Sequence, residues 1–464
     1  MSLINEAQWE QIALDTLAEL DWRPATGSDI AAERASASDL ILTGRVIAAA
    51  RRLNPQVPET YLRQAVTEIL TPRSQDAISE NRRLHEYLTL GYRGVTWIDR
   101  DGTDQNPTIA FVDPDPGGND WLAVQQVTVR DRERTRRFDV VLYLNGFPVA
   151  ICELKQAGKP NADLGRAHAQ LATYLAEFPM AFRGCVVTVI SDGVTAKYGT
   201  PFTPLNHYSP WNVDDDGRLL TAGEALADTA YDTALEVTLY GLFNQERFGQ
   251  LMRNFTAFDE GEHGLGKRIA KPHQYFAVTK AVASTIEAVR SDGRAGVVWH
   301  TQGSGKSMEM ELYAHAVMRR PELLNPTIVV ITDRKELDGQ LFGAFAASTL
   351  LPQKPLQITT RAALRDALGN ALSGGIYFTT LQKFGRSPEE RESGVDHPLL
   401  SDRRNIVVIV DEAHRSHYDD LDGYARHLSD ALPHATLIAF TGTPLSQVDR
   451  NTREVFGDYI DIYD

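Results

Sequence analysis

The chain has little sulfur chemistry to offer: its 464 residues include two cysteines and six methionines. Cys152 and Cys185 both lie in apolar, strand-like runs, which predicts buried free thiols and argues against a disulfide framework or a cysteine-built metal centre. No apolar stretch is long enough to span a membrane, and Met1-Ser-Leu-Ile-Asn-Glu-Ala-Gln8 lacks the basic and apolar regions of a signal peptide. A soluble, cytoplasmic protein without membrane partners is expected. Positive charge is also short, with 47 Lys and Arg against 62 Asp and Glu and a formal charge of -15. That balance argues against indiscriminate nucleic-acid binding by the whole surface but leaves room for a local basic groove. Arg130, Arg132, Arg134, Arg136 and Arg137 form the one dense basic cluster, interrupted by Asp131 and Glu133; a solvated, self-paired strand face is the plain alternative. Repeats and low-complexity runs are absent. What is present is an ordinary globular composition, 42% hydrophobic and 23% charged, on a chain long enough for two or three domains.

Apolar periodicity divides the chain. Helical spacing runs from Glu6 to Leu20, Leu40 to Arg52 and Ala77 to Leu90, the last carrying Glu80. Strand-like runs follow at Trp121 to Val129, Phe138 to Leu144 and Phe147 to Lys155. A helix from Asp163 to Glu177 and a strand from Cys185 to Ile190 complete an order of helix, three strands, helix, strand. Residues 1–205 are expected to form this first domain. Pro- and Asn-rich sequence from Pro201 to Trp211 opens a helical bridge over 206–262, with Tyr240, Phe243, Phe248 and Phe255 as a packing stripe. Over 263–464, apolar strands at Gly296 to His300, Thr327 to Thr332, Gly375 to Thr380, Asn405 to Val410 and Ala435 to Phe440 alternate with helices. That alternation predicts a parallel sheet covered on both faces.

Two constellations carry chemistry. Asp139 to Lys155 reads as a β-hairpin turning at Asn145-Gly146. Glu153 and Lys155, two apart on a strand, project from one face. Two carboxylates beside a lysine suit Mg²⁺ binding and water attack on a phosphodiester. Register decides whether they meet: a plain two-residue turn pairs Asp139 with Cys152 and puts the acids on opposite faces, whereas a bulge near Phe147-Pro148 brings Asp139 opposite Glu153. In the second constellation, Gly296-Val-Val-Trp-His-Thr-Gln-Gly-Ser-Gly-Lys-Ser307 is an apolar run closing on a Gly-rich turn. Gly303, Ser304 and Gly305 supply a phosphate-wrapping backbone, Lys306 the cation and Ser307 a Mg²⁺ ligand; His300 stands where the P-loop pattern has its first glycine. Asn405 to Val410 delivers Asp411 and Glu412 to a strand's carboxyl end, Asp411 for the same Mg²⁺ and Glu412 to polarise the attacking water.

The first region resembles the PD-(D/E)xK nuclease superfamily, with Asp139 and Glu153-Leu-Lys155 as its core, Phe138 in place of the usual Pro, and Gln170-Leu-Ala-Thr-Tyr174 matching the Q-x-x-x-Y element of the RecB-like branch. Glu80 would be the further acid on the preceding helix. Gly303 to Ser307 with Asp411-Glu-Ala-His414 resembles superfamily 2 helicases and translocases. His273-Gln274-Tyr275, Thr332 to Asp338 and Thr441-Gly-Thr-Pro444 stand as their Q motif and motifs Ia and III. In that adenine-reading Q motif the Gln274 amide would pair with the adenine edge. The fold class implied is α/β, an αβββαβ nuclease domain followed by a RecA-like ATPase lobe. The pair is similar to the R subunit of type I restriction enzymes. That resemblance implies ATP and Mg²⁺ as cofactors, double-stranded DNA as substrate, and specificity and methyltransferase subunits as partners. It further implies ATP-driven DNA translocation and cutting. The chain ends about twenty residues past motif III, so a fragment without the second lobe and weak in ATP hydrolysis is expected. Two alternatives stay open: another nuclease-translocase defence enzyme, type III-like or solitary, and an ATP-binding DNA-interaction module with an inert nuclease fold.

Overall fold

Buried strands need partners for their backbone groups, and in this chain two separate sheets provide them. The computed structural model describes residues 5–132, 134–156, 160–220, 233–261, 264–332, 339–370, 373–385, 392, 398–411, 424–442 and 449–463. Two compact units divide at Lys271/Pro272.

In the first unit, α1 (Glu6–Glu19) leads to β1 (Arg23–Thr26), α2 (Thr43–Leu53), α3 (Glu59–Leu70), α4 (Ala77–Leu90) and a small antiparallel pair, β2 (Trp97–Ile98) and β3 (Asp104–Gln105). Asn5 caps α1 with a full capping box, its side chain accepting from the Gln8 amide while the Gln8 side chain accepts from the Asn5 amide. The central sheet contains β4 (Trp121–Asp131), β5 (Arg134–Leu144), β6 (Phe147–Leu154), β7 (Val187–Ser191) and β8 (Ala196–Gly199), in the order β1-β4-β5-β6-β7-β8. β4, β5 and β6 are antiparallel neighbours; β6 and β7 are parallel, which requires the crossover supplied by α5 (Pro160–Glu177). The expected order of helix, three strands, helix and strand is present. Phe138, Tyr174 and Phe182 hold α5 to the sheet through edge-on ring contacts at 5.1 and 5.8 Å, each buried ring contributing about 1.5–3 kcal/mol.

The predicted bridge is part of this unit rather than a separate body. In it lie α6 (Ala234–Phe243), α7 (Gln245–Asn254) and a hairpin of β9 (Thr256–Gly261) and β10 (Gly264–Ile269). Thr256 onward is strand, not the helix that spacing suggests. Phe243, Phe248 and Phe255 are buried, as their stripe predicts. Trp22 Nε1 donates to the Phe243 carbonyl at 2.8 Å and its ring meets Trp121, Phe243 and Phe248. The β9–β10 hairpin is tied down by the buried Lys267, whose ammonium donates to Asn81 Oδ1 and the Cys185 carbonyl at 2.8 and 2.9 Å. Both cysteines are buried and free.

The second unit begins with α8 (Pro272–Arg290), followed by β11 (Arg294–His300), α9 (Lys306–Met318), β12 (Thr327–Ile331), α10 (Gln340–Ala347), β13 (Leu356–Gln357), α11 (Arg361–Asn370), β14 (Ile376–Thr379), β15 (Ile406–Asp411), α12 (Tyr424–Ala431), β16 (Thr436–Thr441), α13 (Asp449–Phe456) and β17 (Tyr459–Tyr463). Its sheet is parallel throughout, in the order β13-β14-β12-β15-β16-β11-β17. Ile406 to Val410 are all buried, the continuous apolar run that a strand covered on both faces demands. Among the described residues no helix is long and apolar enough to cross a membrane.

Candidate active site

Two local irregularities assemble the nuclease-like cluster. Asn145 and Gly146, at φ of 51° and 88°, make the tight turn between β5 and β6. The ladder then pairs Leu144 with Phe147 and Tyr143 with Pro148, but Leu142 with Ala150, so Val149 is an extra residue on β6. Its carbonyl accepts from the Val186 amide at 2.7 Å. Beyond the bulge Val140 faces Cys152, and the register continues so that Asp139 lies opposite Glu153. The plain turn and the bulge, posed by the sequence as alternatives, coexist. β4 is distorted across from the same position without losing register. Gln125 pairs with Val140 and Val127 with Phe138, while Gln126, at φ 56°, drops out of the ladder opposite Asp139.

The Asp139 carboxylate accepts the Leu154 amide at 2.8 Å, and the Lys155 ammonium reaches Glu153 Oε1 at 2.5 Å. Glu153 is fully buried and its Oε2 has no hydrogen-bond partner among the described residues. Burial first, and then the neighbouring Asp139 charge, push the Glu153 carboxyl up to about 8. Asp139 is raised too, burial outweighing the Leu154 amide and the Lys155 charge. Burial opposes the charge on Lys155, but Glu153 outweighs it and holds the ammonium above its ordinary value. A buried carboxylate oxygen without a proton donor, beside a second acid, is a donor set that fits a hard divalent cation. Gln170 and Tyr174 come together as their spacing predicts, Gln170 Nε2 donating to the Tyr174 hydroxyl at 2.6 Å. That hydroxyl donates in turn to the Arg137 carbonyl at 3.3 Å.

Glu80 does not join them. It is buried on α4 and accepts from the Arg73 and Ser74 amides and from Arg83 at 2.6 Å. Burial works against its charge, but these donors hold its carboxyl below the ordinary value. α4 lies against the start of β7, with Asn81 donating to the Phe182 and Cys185 carbonyls, while Glu153 pairs with Ile190 near that strand's other end. A different acid approaches the cluster, from α1: buried Glu10 accepts from Gln126 Nε2 at 3.0 Å. Its carboxyl is raised by burial and also by the Asp139 charge. Helical spacing marks α1, but nothing in the sequence ties Glu10 to a backbone distortion in β4.

In the second unit the Gly-rich turn joins β11 to α9 at the carboxyl edge of the sheet. Gly303 and Gly305 have φ of 90° and 97°, a region side chains rarely adopt, and a Cβ on Gly305 would come within 2.5 Å of Gln274 Nε2. Gln274 donates to the Ser304 and Gly305 carbonyls at 3.2 and 3.4 Å, and His273 Nε2 to the Ser304 carbonyl at 3.0 Å. The glutamine expected at an adenine edge thus braces the loop in this structure. Ser304 Oγ is buried without a hydrogen-bond partner among the described residues. Lys306 Nζ lies 2.1 Å from where a Cβ on Gly442 would stand, which seats the ammonium against the end of β16. Ser307 follows Lys306 in the first turn of α9. Asp411 ends β15, level with Phe440 on β16, which pairs with Val298 on β11. Asp411 and the loop therefore lie toward the same carboxyl edge of the sheet, Asp411 two strand spacings, about 10 Å, from Val298. Glu412 lies outside the described residues, as do residues 333–338 and Thr443-Pro444.

His300 is not merely a tolerated departure. It is fully buried between two carboxylates, Glu309 of α9 at 2.9 Å and Asp461 of β17 at 3.0 Å, and Asp461 also pairs with Lys280 of α8 at 2.7 Å. Burial works against its charge, but Asp461 and Glu309 outweigh it and raise the imidazole to about 9.

A sheet edge bearing two acids and a lysine, joined in one chain to a parallel-sheet lobe with a phosphate-wrapping loop, defines a nuclease-type domain followed by a RecA-like ATPase lobe. Residues 3–207 match the family described as type I restriction enzyme R protein N terminus, and residues 273–464 match the SWI2/SNF2 ATPase family. The chain belongs to the type I restriction enzyme R proteins. It is 38% identical to the type I restriction enzyme HindI endonuclease subunit of Haemophilus influenzae across 100% of this chain and 44% of that protein. A type I restriction enzyme endonuclease subunit of Staphylococcus aureus strain MSSA476 is 25% identical over 74% of this chain and 34% of its own length. The chain thus spans less than half the length of these relatives.

Proposed function

We propose that this chain is the cutting and ATP-binding part of a type I restriction enzyme, cleaving duplex DNA with Mg²⁺ and coupled to ATP-driven translocation in a complex with specificity and methyltransferase subunits. The observation that carries the reading is the buried Glu153 Oε2, left without a proton donor opposite Asp139 and beside Lys155. Mg²⁺ held there by Asp139 and Glu153 would supply Lewis-acid polarisation of a phosphate and acidify a bound water. Burial raises the Glu153 carboxyl to about 8, and holding a cation there would require its ionised form. Lys155, anchored on Glu153 Oε1, offers its positive charge where negative charge builds on the phosphate. In the other unit Lys306 reaches toward the outer phosphates of ATP, Ser307 and Asp411 hold its Mg²⁺, and Glu412 orients the attacking water.

The test uses the full-length subunit with its partner subunits. Asp139→Ala or Lys155→Ala abolishes cutting while ATP hydrolysis continues, and Lys306→Ala abolishes both. Undiminished cutting by Lys155→Ala would select the alternative of an inert nuclease fold, and loss of ATP hydrolysis in Asp139→Ala would deny that the two sites are separable.

A further inference from the structure

The strands that carry Asp139 run on past the rest of their sheet. β6 pairs with β5 only from Val140 to Leu144, and β1 with β4 only from Leu122 to Gln125. Beyond them β4 and β5 continue as a two-stranded ribbon through the pairs Thr128 with Arg137, Val129 with Arg136, Arg130 with Thr135 and Asp131 with Arg134. The basic cluster of the sequence is the end of this ribbon. Among the described residues Arg136 alone is neutralised, by Glu177 at 2.7 Å, with its guanidinium over the Tyr174 ring. Arg130, Arg132, Arg134 and Arg137 are exposed, and none forms an ion pair among the described residues. Asp131 is equally exposed and unpaired there, so the described residues do not make the self-paired strand face that alternating charge suggests. In a chain with a formal charge of -15, four guanidinium groups on one ribbon without an ion pair among the described residues are not the average surface.

Their placement gives them a direction. Residues two apart on a strand share a face, as do residues paired across it. Arg137 is therefore on the face of Asp139, and Arg130, paired with Thr135, is on that same face. Arg132 continues the row at the reversal, at φ 49°. The cations begin beside the acids and step outward by about 6.8 Å for every two residues.

We propose that Arg130, Arg132 and Arg137 form a phosphate-binding ribbon that lays one strand of duplex DNA along the β4–β5 extension and leads it onto Asp139, Glu153 and Lys155. The proposal rests on the nuclease reading above and adds the surface by which substrate reaches that site. Guanidinium groups suit the role because each offers a planar fork of donors to phosphate oxygens without reading sequence.

The experiment measures binding of the full-length subunit to a non-specific duplex by fluorescence anisotropy, without metal or nucleotide, across a salt series. Each phosphate contact contributes about 0.9 to the slope of log K against log salt concentration. Arg130→Ala/Arg132→Ala/Arg137→Ala should therefore flatten the slope by about 2.7 on that relation, weaken binding at low salt and slow cutting by the assembled enzyme. Lys at all three positions should restore the slope, since charge rather than packing is required. An unchanged slope and affinity in the triple Ala variant would overturn the proposal, and so would a slope that the triple Lys variant fails to restore. Asp139→Ala keeps the two claims apart: if it still cuts, the nuclease reading fails, while the salt slope continues to decide the ribbon.

Discussion

Replacing His300 with Asn should destabilise the second unit by an amount that depends on pH in a defined sense. The imidazole bridges Glu309 and Asp461 at 2.9 and 3.0 Å with no solvent exposure, and its value rises from 6.5 to about 9. At 1.36 kcal/mol per pKa unit, the ion bridge contributes about 3 kcal/mol. That agrees with the roughly 3–5 kcal/mol lost when one partner of a buried pair is removed. Because the folded value is raised, the contribution is fully present below about pH 6.5 and disappears as pH rises through about 9. His300→Asn takes the cation from the buried Glu309 at pH 6 and leaves Asp461 with Lys280 alone, but removes only a neutral ring at pH 10. Urea unfolding read by hydrogen exchange on peptides from β11 and α9 isolates this unit from the first. The variant should lose about 3 kcal/mol at pH 6 and much less at pH 10. A loss under about 1 kcal/mol at pH 6, or an equal loss at both, would refute the assignment of His300 as a buried cation.

Other perturbations test the two sites separately. In metal-free protein above pH 8, Glu153→Gln should stabilise the first unit, by at most about 5 kcal/mol from 1.36 per unit, because it removes a carboxylate whose ionisation is disfavoured up to about 8; a lower Tm at pH 9 would contradict this. Lys267, lowered by burial to about 7, makes stability rise with pH between about 7 and 10.5, since the unfolded chain holds the proton there. Lys267→Met should flatten that rise, as thermal scans at several pH values will show. Gly442→Ala places a methyl on Lys306 Nζ and should weaken ATP binding at least tenfold, measured by calorimetry, with little change in Tm.

Periodicity makes the two-sheet organisation legible, because long apolar runs such as Ile406 to Val410 allow few other structures. Asp139, Glu153 and Lys155 are visible as a hairpin, and the requirement for a bulge follows from counting residues from the turn. Its neighbourhood follows from Pro148, and the structure puts the extra residue next to it, at Val149, whose carbonyl accepts from the Val186 amide beyond the crossover. Glu80 falls elsewhere. Spacing identifies a helix and its buried face, but not which end of the sheet that face meets, and Arg83 claims the carboxylate first. Glu10 reaches the cluster only through the positive φ of Gln126, a conformation with no sequence mark on a residue other than Gly, Asn or Asp. His300 reads as a missing glycine because its two acids come from α9 and from β17, the latter far along the chain.

The bulge at Val149 also orders events in time. Asn145 and Gly146 leave the ribosome well before Val186, and the turn they favour, by itself, sets the acids on opposite faces. Val186 grips the extra residue only once α5 has crossed over and β7 has docked. A nascent or broken chain that lacks β7 therefore lacks the clasp that aligns the acids, and the meeting of Asp139 with Glu153 waits on the order in which the strands are made.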